Sequence, residues 1–377
     1  MRTTIAILAV AFLAPVALHT QTGQFLVRLG HDTLAIEQYT RTADRLEGEQ
    51  VIRAPRTVHR LYAATFGPGG ALQRFELVTH NVTGGPGPME RKATATFTGD
   101  SGVMTVPRGD STATIRLKTS PGTVPFVTQG WALVEEVARR ARAAGSGGYA
   151  IGMVQVGATE PLDVTATPQG PDSMTIVLGE LGPMHARVDG QGTLLGVSGI
   201  GSNMQVTVER VQGLDFAALG KSFASRSLGS LSPPDSVRTR VGGAAVGVRY
   251  SRPSMRGRVI FGHIVPWNKV WRTGANEATV LETSADLTVA GTTVPAGKYS
   301  LWTLPSPAGW KLIVNKNTGQ WGTDYDAQYD LARFDMKVES LRQPVEQFTI
   351  AVEPKGRGGM LKLEWEKTRA SIPFATK

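Results

Sequence analysis

The sequence predicts a mainly β protein of two domains, in which an antiparallel meander or curved sheet with one amphipathic helix is followed by a β-sandwich. Three observations lead to this fold class. Apolar residues alternate with polar ones over short runs along most of the chain. The 377 residues include 44 glycines and 22 prolines, which favour many turns between such runs. One stretch alone, Trp131–Ala144, repeats its apolar residues at the period of a helix.

Residues 1–20 have the layout of a secretory signal. Arg2 precedes an apolar run that is too short to span a bilayer comfortably, and polar residues follow it. We therefore expect a periplasmic or secreted protein that has no transmembrane segment after the signal is removed. The chain has no cysteine, which excludes disulfides and thiol chemistry, so each domain must be held together by its hydrophobic core.

The first predicted domain, residues 24–215, consists of short alternating strands separated by turns rich in glycine and aspartate. Its helix carries the pairs Glu135–Arg139 and Glu136–Arg140, whose four-residue spacing favours ion pairs along a helix. A single helix among many strands most simply covers a curved sheet as a core element. A concave sheet that holds a ligand is the alternative interpretation.

Residues 216–236 are rich in Ala, Gly, Ser and Pro and have little apolar periodicity, which predicts a linker between the domains. Residues 237–377 then form the second domain, with roughly eight or nine short strands and no convincing helix, as in a β-sandwich. Charge also changes at this boundary. Residues 1–232 carry 20 basic and 18 acidic side chains, a net of +2, and the remaining 20 and 13 give +7.

The second half is basic, yet it contains no block of lysine and arginine, which makes a nucleic-acid partner a poor interpretation. Its charge is suited to an anionic ligand or to the acidic polymers of a cell envelope. The glycine-rich segment 192–201 lacks both the phosphate-loop pattern and the dinucleotide-binding pattern. No histidine and carboxylate spacing indicates a metal site, so we expect neither a metal nor another cofactor.

The best candidate for a functional site is the stretch 267–279, with the sequence WNKVWRTGANEAT. Arg272, Asn276 and Glu277 are costly to hold near aromatic side chains unless they are paired or used. Pro253 and Gly274 force the chain out of strand conformation, so we expect two neighbouring loops at one end of the second domain. The candidate binding residues are Tyr250, Arg252, Arg258, Arg272, Asn276, Glu277 and Tyr299.

Two interpretations of this cluster do not involve an enzyme. In the first, Arg272 and Glu277 pair across the intervening turn and the cluster only stabilises the fold or a protein–protein contact. In the second, arginines from separate loops converge on a small anionic or carbohydrate ligand, and Trp267, Trp271 or Tyr299 forms the surface on which it stacks. We favour ligand binding as the function.

A hydrolase is the remaining alternative. Glu277 would act as the general base, and His263 or an arginine would stabilise the developing charge. Glycoside hydrolysis normally requires a second carboxylate, and none is evident near this stretch.

The second domain resembles a known family, the bacterial domain of unknown function 2911. The similarity runs from about residue 237 to about residue 374, and its most specific part is VWRTGANEAT at residues 270–279. Further matching segments are YSRP at 250–253, GR at 257–258, IFG at 260–262, VP at 265–266 and PAGKYSL at 295–301. The resemblance implies a secreted or periplasmic protein whose biochemical role is unassigned.

Overall fold

The computed structural model describes residues 20–82 and 90–376. The predicted secretory signal falls almost wholly in residues 1–19, outside the described residues. Among the helices of the described part, none is long and apolar enough to cross a membrane. The described chain forms two β-sheets, so the mainly β fold class predicted from the sequence is confirmed.

The first sheet contains fifteen strands in the order β8-β7-β6-β5-β4-β3-β2-β1-β15-β14-β13-β12-β11-β10-β9. Neighbours are antiparallel except for β9 and β10, and the pairing of β1 with β15 joins two meanders. The strands are β1 Gln21–Leu29, β2 Asp32–Arg41, β3 Arg45–Ile52, β4 Val58–Phe66, β5 Leu72–Asn81, β6 Glu90–Thr98, β7 Ser101–Arg108, β8 Ser111–Lys118, β9 Val124–Phe126, β10 Tyr149–Gln155, β11 Leu162–Pro168, β12 Ser173–Leu178, β13 Pro183–Val188, β14 Leu194–Ser198 and β15 Thr207–Val211.

Helix α1, Trp131–Ala144, covers one face of the first sheet, which we call its inner face. Its bounds are those that the apolar stripe predicts. The predicted pairs are also present, since Arg139 lies 3.1 Å from Glu135 and Arg140 lies 2.9 Å from Glu136. Both glutamates lie off the apolar stripe but are buried, because the sheet supplies further partners such as Arg41.

The segment 216–236, predicted as a linker with little apolar periodicity, contains helix α2, Phe216–Phe223. Phe216 and Phe223 pack against Ile36 and Val51 on the outer face of the first sheet. Two buried phenylalanines seven positions apart are too few to show a helical period, which is why the sequence pattern did not reveal this helix. The last part of the segment begins the second sheet.

The second sheet contains nine strands in the order β16-β17-β18-β21-β22-β23-β24-β19-β20. The long β23 pairs with β22 along its first part and with β24 along most of its length, so it joins the two arms of the sheet. Both arms contribute to one hydrophobic core. The strands are β16 Pro234–Val241, β17 Ala244–Ser251, β18 Thr279–Thr283, β19 Leu287–Val289, β20 Thr292–Val294, β21 Gly297–Ser306, β22 Gly309–Asn315, β23 Asp330–Lys355 and β24 Gly358–Thr376.

Candidate functional site

Residues 252–278, which we call the arginine loop, connect β17 to β18 and contain all of the motif except Thr279, which begins β18. Four residues that are not glycine have a left-handed backbone here, with φ of 52° at Arg256, 60° at Asn268, 51° at Thr273 and 60° at Asn276. Such a conformation costs on the order of 1–3 kcal/mol for a residue other than glycine, and it is especially unusual for a β-branched residue such as Thr273. The loop is therefore held in one shape by the contacts around it.

Hydrogen bonds around Thr273, which is fully buried, show how this shape is held. Its hydroxyl lies 3.2 Å from that of Thr303 and donates to the carbonyl of Trp271 over 3.4 Å. Its own carbonyl accepts a hydrogen bond of 2.7 Å from the hydroxyl of Thr279. The middle of the motif is thus a rigid turn whose polar groups are already satisfied.

The aromatic residues of the motif, Trp267 and Trp271, are partly buried and pack against the core of the second sheet. The ring of Trp271 lies 5.0 Å from that of Phe348 and 5.8 Å from that of Trp365. Trp267 stacks on Phe261 at 6.2 Å. These contacts hold the loop against the sheet by edge and stacking interactions.

Tyr299 is 7% exposed, and its hydroxyl donates to the carbonyl of Pro295 over 2.9 Å. Burial raises the pKa of this phenol. Tyr299 is therefore bonded within its own strand and turn, and the structure does not place it beside the arginine loop.

Tyr250 and Arg252 link the end of β17 to β23. The Tyr250 hydroxyl accepts a hydrogen bond of 3.0 Å from the amide of Ile350, and burial raises its pKa. Arg252 donates to the carbonyl of Phe348 over 3.0 Å and lies 3.1 Å from the carboxylate of Asp235. Both side chains are occupied within the second sheet.

Two further predicted binding residues, Arg258 and Arg272, contact the connection between β14 and β15 of the first region. Arg258 donates to the side chain of Gln205 over 3.3 Å, and Arg272 donates to the side chain of Asn203 over 3.0 Å. Burial lowers the pKa of both guanidinium groups, and nearby Arg256 lowers that of Arg258 further. Arginines that the sequence predicts as ligand-binding groups thus join the two sheets.

The same interface contains an ion pair and a close backbone contact. Arg256 pairs with Asp32, and its carbonyl accepts a hydrogen bond of 2.9 Å from the amide of His31. Gly30 has φ of 62°, and a Cβ at this position would lie 2.0 Å from the Arg256 carbonyl oxygen. Opposite it, a Cβ at Gly257 would lie 2.8 Å from the His31 ring. The turn between β1 and β2 therefore fits the arginine loop backbone to backbone.

The structure brings the segment 250–252 and the turn 272–277 together, as the sequence predicts. Asn276 donates to the hydroxyl of Ser251 over 3.4 Å, and a Cβ at Gly274 would lie 3.0 Å from the Ser251 carbonyl oxygen. Arg272 and Glu277 form no ion pair; Arg272 contacts instead the backbone carbonyl of Asn276. The interpretation in which these two charges pair across the turn is therefore wrong, because the guanidinium points to Asn203.

Glu277 makes no side-chain hydrogen bond or ion pair with any residue in 20–82 or 90–376. It lies at a cavity of about 570 Å³ on the second sheet, which we call the second-sheet cavity. Arg249 lies in the same wall and likewise has no side-chain partner in the described chain. The lining residues are Pro234, Asp235, Ser236, Arg249, Tyr250, Ser251, Glu277, Ala278 and Val280.

Sequence reasoning missed Arg249 and Ser236. The strand pairing places Ser236 opposite Arg249, and Arg249 opposite Val280, so three strands build one wall. The alternation in β17 contained part of this signal, because Val248 and Tyr250 are buried and Arg249 must then face outward. The adjoining Trp321 forms a backbone bridge with Glu277 and is 47% exposed.

Metal and general acid–base sites have little support here. In the described part of the chain, no group of three or more histidine, aspartate and glutamate side chains could hold a metal ion. His263 is exposed, and no hydrogen bond or ion pair joins it to Glu277. The structure therefore does not assemble the acid–base pair that the hydrolase alternative requires.

A model of a known protein family matches the region of the chain that contains the motif and nearly all of the second sheet. The model of the family described as "Protein of unknown function (DUF2911)" matches residues 232–374. The resemblance seen in the sequence is thereby confirmed for this region. The match includes the whole arginine loop and every residue that lines the second-sheet cavity.

No curated protein matches the chain. Among solved structures, the chain is similar to a DUF1089 family protein from Pseudomonas aeruginosa, with 15% identity, 51% of this chain and 95% of that chain covered, and a TM-score of 0.31. It is also similar to a β-barrel-like protein of domain of unknown function DUF1849 from Brucella abortus, with 11% identity, 52% and 96% covered, and a TM-score of 0.35.

Proposed function

We propose that this protein is an exported envelope protein that binds a small anionic ligand carrying hydroxyl groups, such as an acidic sugar, in the second-sheet cavity. The observation that carries the proposal is the presence of one unpaired cation, Arg249, and one unpaired carboxylate, Glu277, in the wall of one cavity. The basic charge of the second half of the chain favours an anion.

The two free side chains suit different parts of such a ligand. Arg249 offers a planar guanidinium that binds a carboxylate or phosphate through two parallel hydrogen bonds. Glu277 accepts hydrogen bonds, which suits hydroxyl groups and disfavours a second negative charge close by. Ser236 and Ser251 add short polar side chains to the same wall. A cavity of about 570 Å³ falls within the usual range for small-molecule sites.

The arginines that the sequence analysis names as binding residues are expected to contribute less to ligand binding than the residues that line the second-sheet cavity. Arg258 and Arg272 are bonded to the first sheet, and Arg252 is paired with Asp235. These arginines hold the loops in place, whereas Arg249 and Glu277 face open space. Binding therefore rests on Arg249 and Glu277, with Tyr250 and Asn276 fixing the loops around them.

Titration calorimetry on the full mature chain tests the proposal, with D-glucuronate as the probe and D-glucose and acetate as partial analogues. Arg249→Gln is expected to weaken glucuronate binding about tenfold or more, and Glu277→Gln is expected to weaken it to a smaller extent. Arg238→Gln is the matched control, because Arg238 is an exposed arginine of the neighbouring strand outside the cavity.

Equal binding of glucuronate by the unaltered chain and by Arg249→Gln would contradict the proposed site. If acetate binds as tightly as glucuronate, the site recognises a simple anion and the hydroxyl groups of the ligand contribute nothing.

Export is tested separately, by the intact mass of the natively expressed protein. Loss of about the first 20 residues is expected, and a chain that retains Met1 in the membrane fraction would contradict export.

A further inference from the structure

A groove of about 850 Å³ crosses β1 to β5 on the outer face of the first sheet, opposite α1. Two adjacent rows of cross-strand neighbours form most of its floor. From β1 to β5 the rows are Gln24, Gln38, Glu49, Leu61, Val78 and Thr22, Thr40, Glu47, Ala63, Glu76. Strand alternation explains this surface, because the residues between them face α1.

One side of the groove is a wall of fixed position. Gln24 binds the segment before α2 through both ends of its amide, since Nε2 donates to the carbonyl of Leu214 over 3.0 Å and Oε1 accepts from its amide over 2.9 Å. Val211 and Gly213 line the groove beside it. Helix α2 covers the next row of the outer face at Ile36 and Val51, so the groove ends there.

The carboxylates of the floor are oriented by neighbouring side chains. Glu49 accepts a hydrogen bond of 2.7 Å from Gln38 and lies 2.7 Å from His59. Glu47 lies 2.7 Å from Arg45. A carboxylate has about four acceptor positions, so each of these groups can accept further hydrogen bonds in a fixed direction. The polar half of the floor is therefore ordered without a ligand.

The other half of the floor is mainly apolar. Leu61 on β4 is 41% exposed, Ala63 follows it two positions along the same strand, and Val78 lies opposite Leu61 on β5. The floor thus changes from amides, threonines and carboxylates on β1–β3 to aliphatic groups at these three positions, with Glu76 on β5 as the carboxylate in this half. A sugar ring has the same division, with hydroxyl groups at its edge and an apolar face of C–H groups.

We propose that this groove is a second binding site, for a neutral oligosaccharide. Its amides and oriented carboxylates would accept and donate hydrogen bonds to hydroxyl groups, while Leu61 and Val78 would contact a ring face. An anionic ligand would meet three carboxylates, at Glu47, Glu49 and Glu76. A cationic ligand would have to displace the arginine and histidine partners that these carboxylates already have.

The test is titration calorimetry of the full mature chain with cellotetraose, chitotetraose and maltotetraose, and with spermidine as a cationic probe. At least one tetrasaccharide is expected to bind. Gln38→Ala and Leu61→Ala are each expected to weaken that binding about tenfold. Leu195→Ala is the matched control, because Leu195 is 40% exposed on β14 and lies outside the groove. Its affinity is expected to remain unchanged.

A second variant, Ala63→Trp, fills the groove while it removes no contact of the core, and it is expected to abolish oligosaccharide binding without lowering the melting temperature. Arg249→Gln is expected to leave this binding unchanged, which separates the groove from the second-sheet cavity. Absence of tetrasaccharide binding at millimolar concentrations would overturn the proposal. So would binding of spermidine alone, or an equal loss of affinity in Leu195→Ala.

Discussion

Two clusters of charged residues in this protein satisfy their charge in different ways. Between α1 and the first sheet, buried carboxylates of the helix pair with arginines of the helix and of the sheet. Glu135, for example, contacts both Arg139 of α1 and Arg210 of β15. In the arginine loop, Arg252 and Arg256 also have carboxylate partners. Arg258 and Arg272 donate to backbone carbonyls and neutral amide side chains instead. The first cluster stabilises one core, whereas the second joins two sheets.

This difference shows why a dense polar motif is a poor guide to a pocket. The one arginine of the motif, Arg272, is bonded to Asn203 of the first region. Of the two free charges at the second-sheet cavity, Glu277 belongs to the motif, whereas Arg249 lies outside it. Removing one member of a buried ion-pair network lowers the free energy of unfolding strongly, because it leaves a charged partner unpaired in the interior. Arginines bonded to neutral groups should be less costly to replace. The following predictions test this contrast.

The largest effect is expected for Glu135→Ala. Glu135 is 1% exposed and accepts hydrogen bonds from the Tyr39 hydroxyl over 2.6 Å and from the amide of Leu194 over 2.9 Å, besides its contacts with arginines. Its removal leaves buried donors unpaired, so the free energy of unfolding should fall by about 3–5 kcal/mol. Chemical denaturation measures this. Glu160→Ala, at an exposed position, should change it little.

The next effect depends on pH and concerns Glu37. This carboxyl is fully buried and accepts hydrogen bonds of 2.7 and 3.1 Å from the amides of Trp131 and Ala132, and another from the Tyr62 hydroxyl. Burial raises its pKa to about 7 from an ordinary 4.5, and the charge of Glu135 adds to this. The folded protein therefore binds more protons than the unfolded chain between these two pH values, and stability falls as pH rises through this window.

Replacing Glu37 by Gln should remove this part of the pH dependence. Relative to Glu37→Gln, the unaltered protein should lose roughly 3 kcal/mol of unfolding free energy between about pH 4.5 and pH 8. Denaturation curves across this range measure the difference. Glu136, whose charge Arg41 and Arg140 stabilise, has a lowered pKa and should affect stability in the opposite sense, at more acidic pH. An unchanged difference across the window would contradict the role of Glu37.

A smaller effect is expected at the interface between the sheets. In Gly30→Ala the new methyl group would collide with the Arg256 carbonyl, in addition to the cost of a positive φ. Gly99 is a matched control, because its φ is 60° and nothing lies within 4 Å of its added Cβ. We expect Gly30→Ala to destabilise by about 1–3 kcal/mol more than Gly99→Ala. Equal losses would mean that the interface can open without cost.

The smallest effect is expected for Arg272→Ala. Its partners are neutral groups, Asn203 and the carbonyl of Asn276, and Glu277 does not depend on it. The loss of unfolding free energy should therefore be about 1–2 kcal/mol, which is less than the loss from a broken buried ion pair. Arg249→Ala, which removes an unpaired side chain, should cost less still. A loss from Arg272→Ala as large as that from Glu135→Ala would abolish the contrast between the clusters.

Limited proteolysis tests whether residues 24–215 and residues 237–377 are separately folding units. The contacts of α2 with Ile36 and Val51 protect the first part of the predicted linker. Cleavage is therefore expected first after α2 and before β16, in residues 224–233. Early cuts inside both sheets, with this segment intact, would contradict the division.

The sequence by itself determined the features that depend on local periodicity and turn chemistry. The alternating runs predicted a mainly β protein, and the apolar stripe of α1 predicted its bounds. The four-residue spacing of the charged residues in α1 predicted its two ion pairs. Proline and glycine placed the motif in loops, and the WRTGANEAT segment indicated the family of the second region. These features are readable because a strand or helix side chain faces the core at a fixed period along its own segment.

Only the tertiary structure decided which distant residues meet. The partner of Arg256 is Asp32 on β2, and that of Arg272 is Asn203 in the connection between β14 and β15. The wall formed by Ser236 and Arg249 depends on the register of β16 with β17, which a shift of one residue would reverse. Pairing and register are set by the packing of whole sheets, so the motif by itself does not show which of its polar groups have partners, or which residues those partners are.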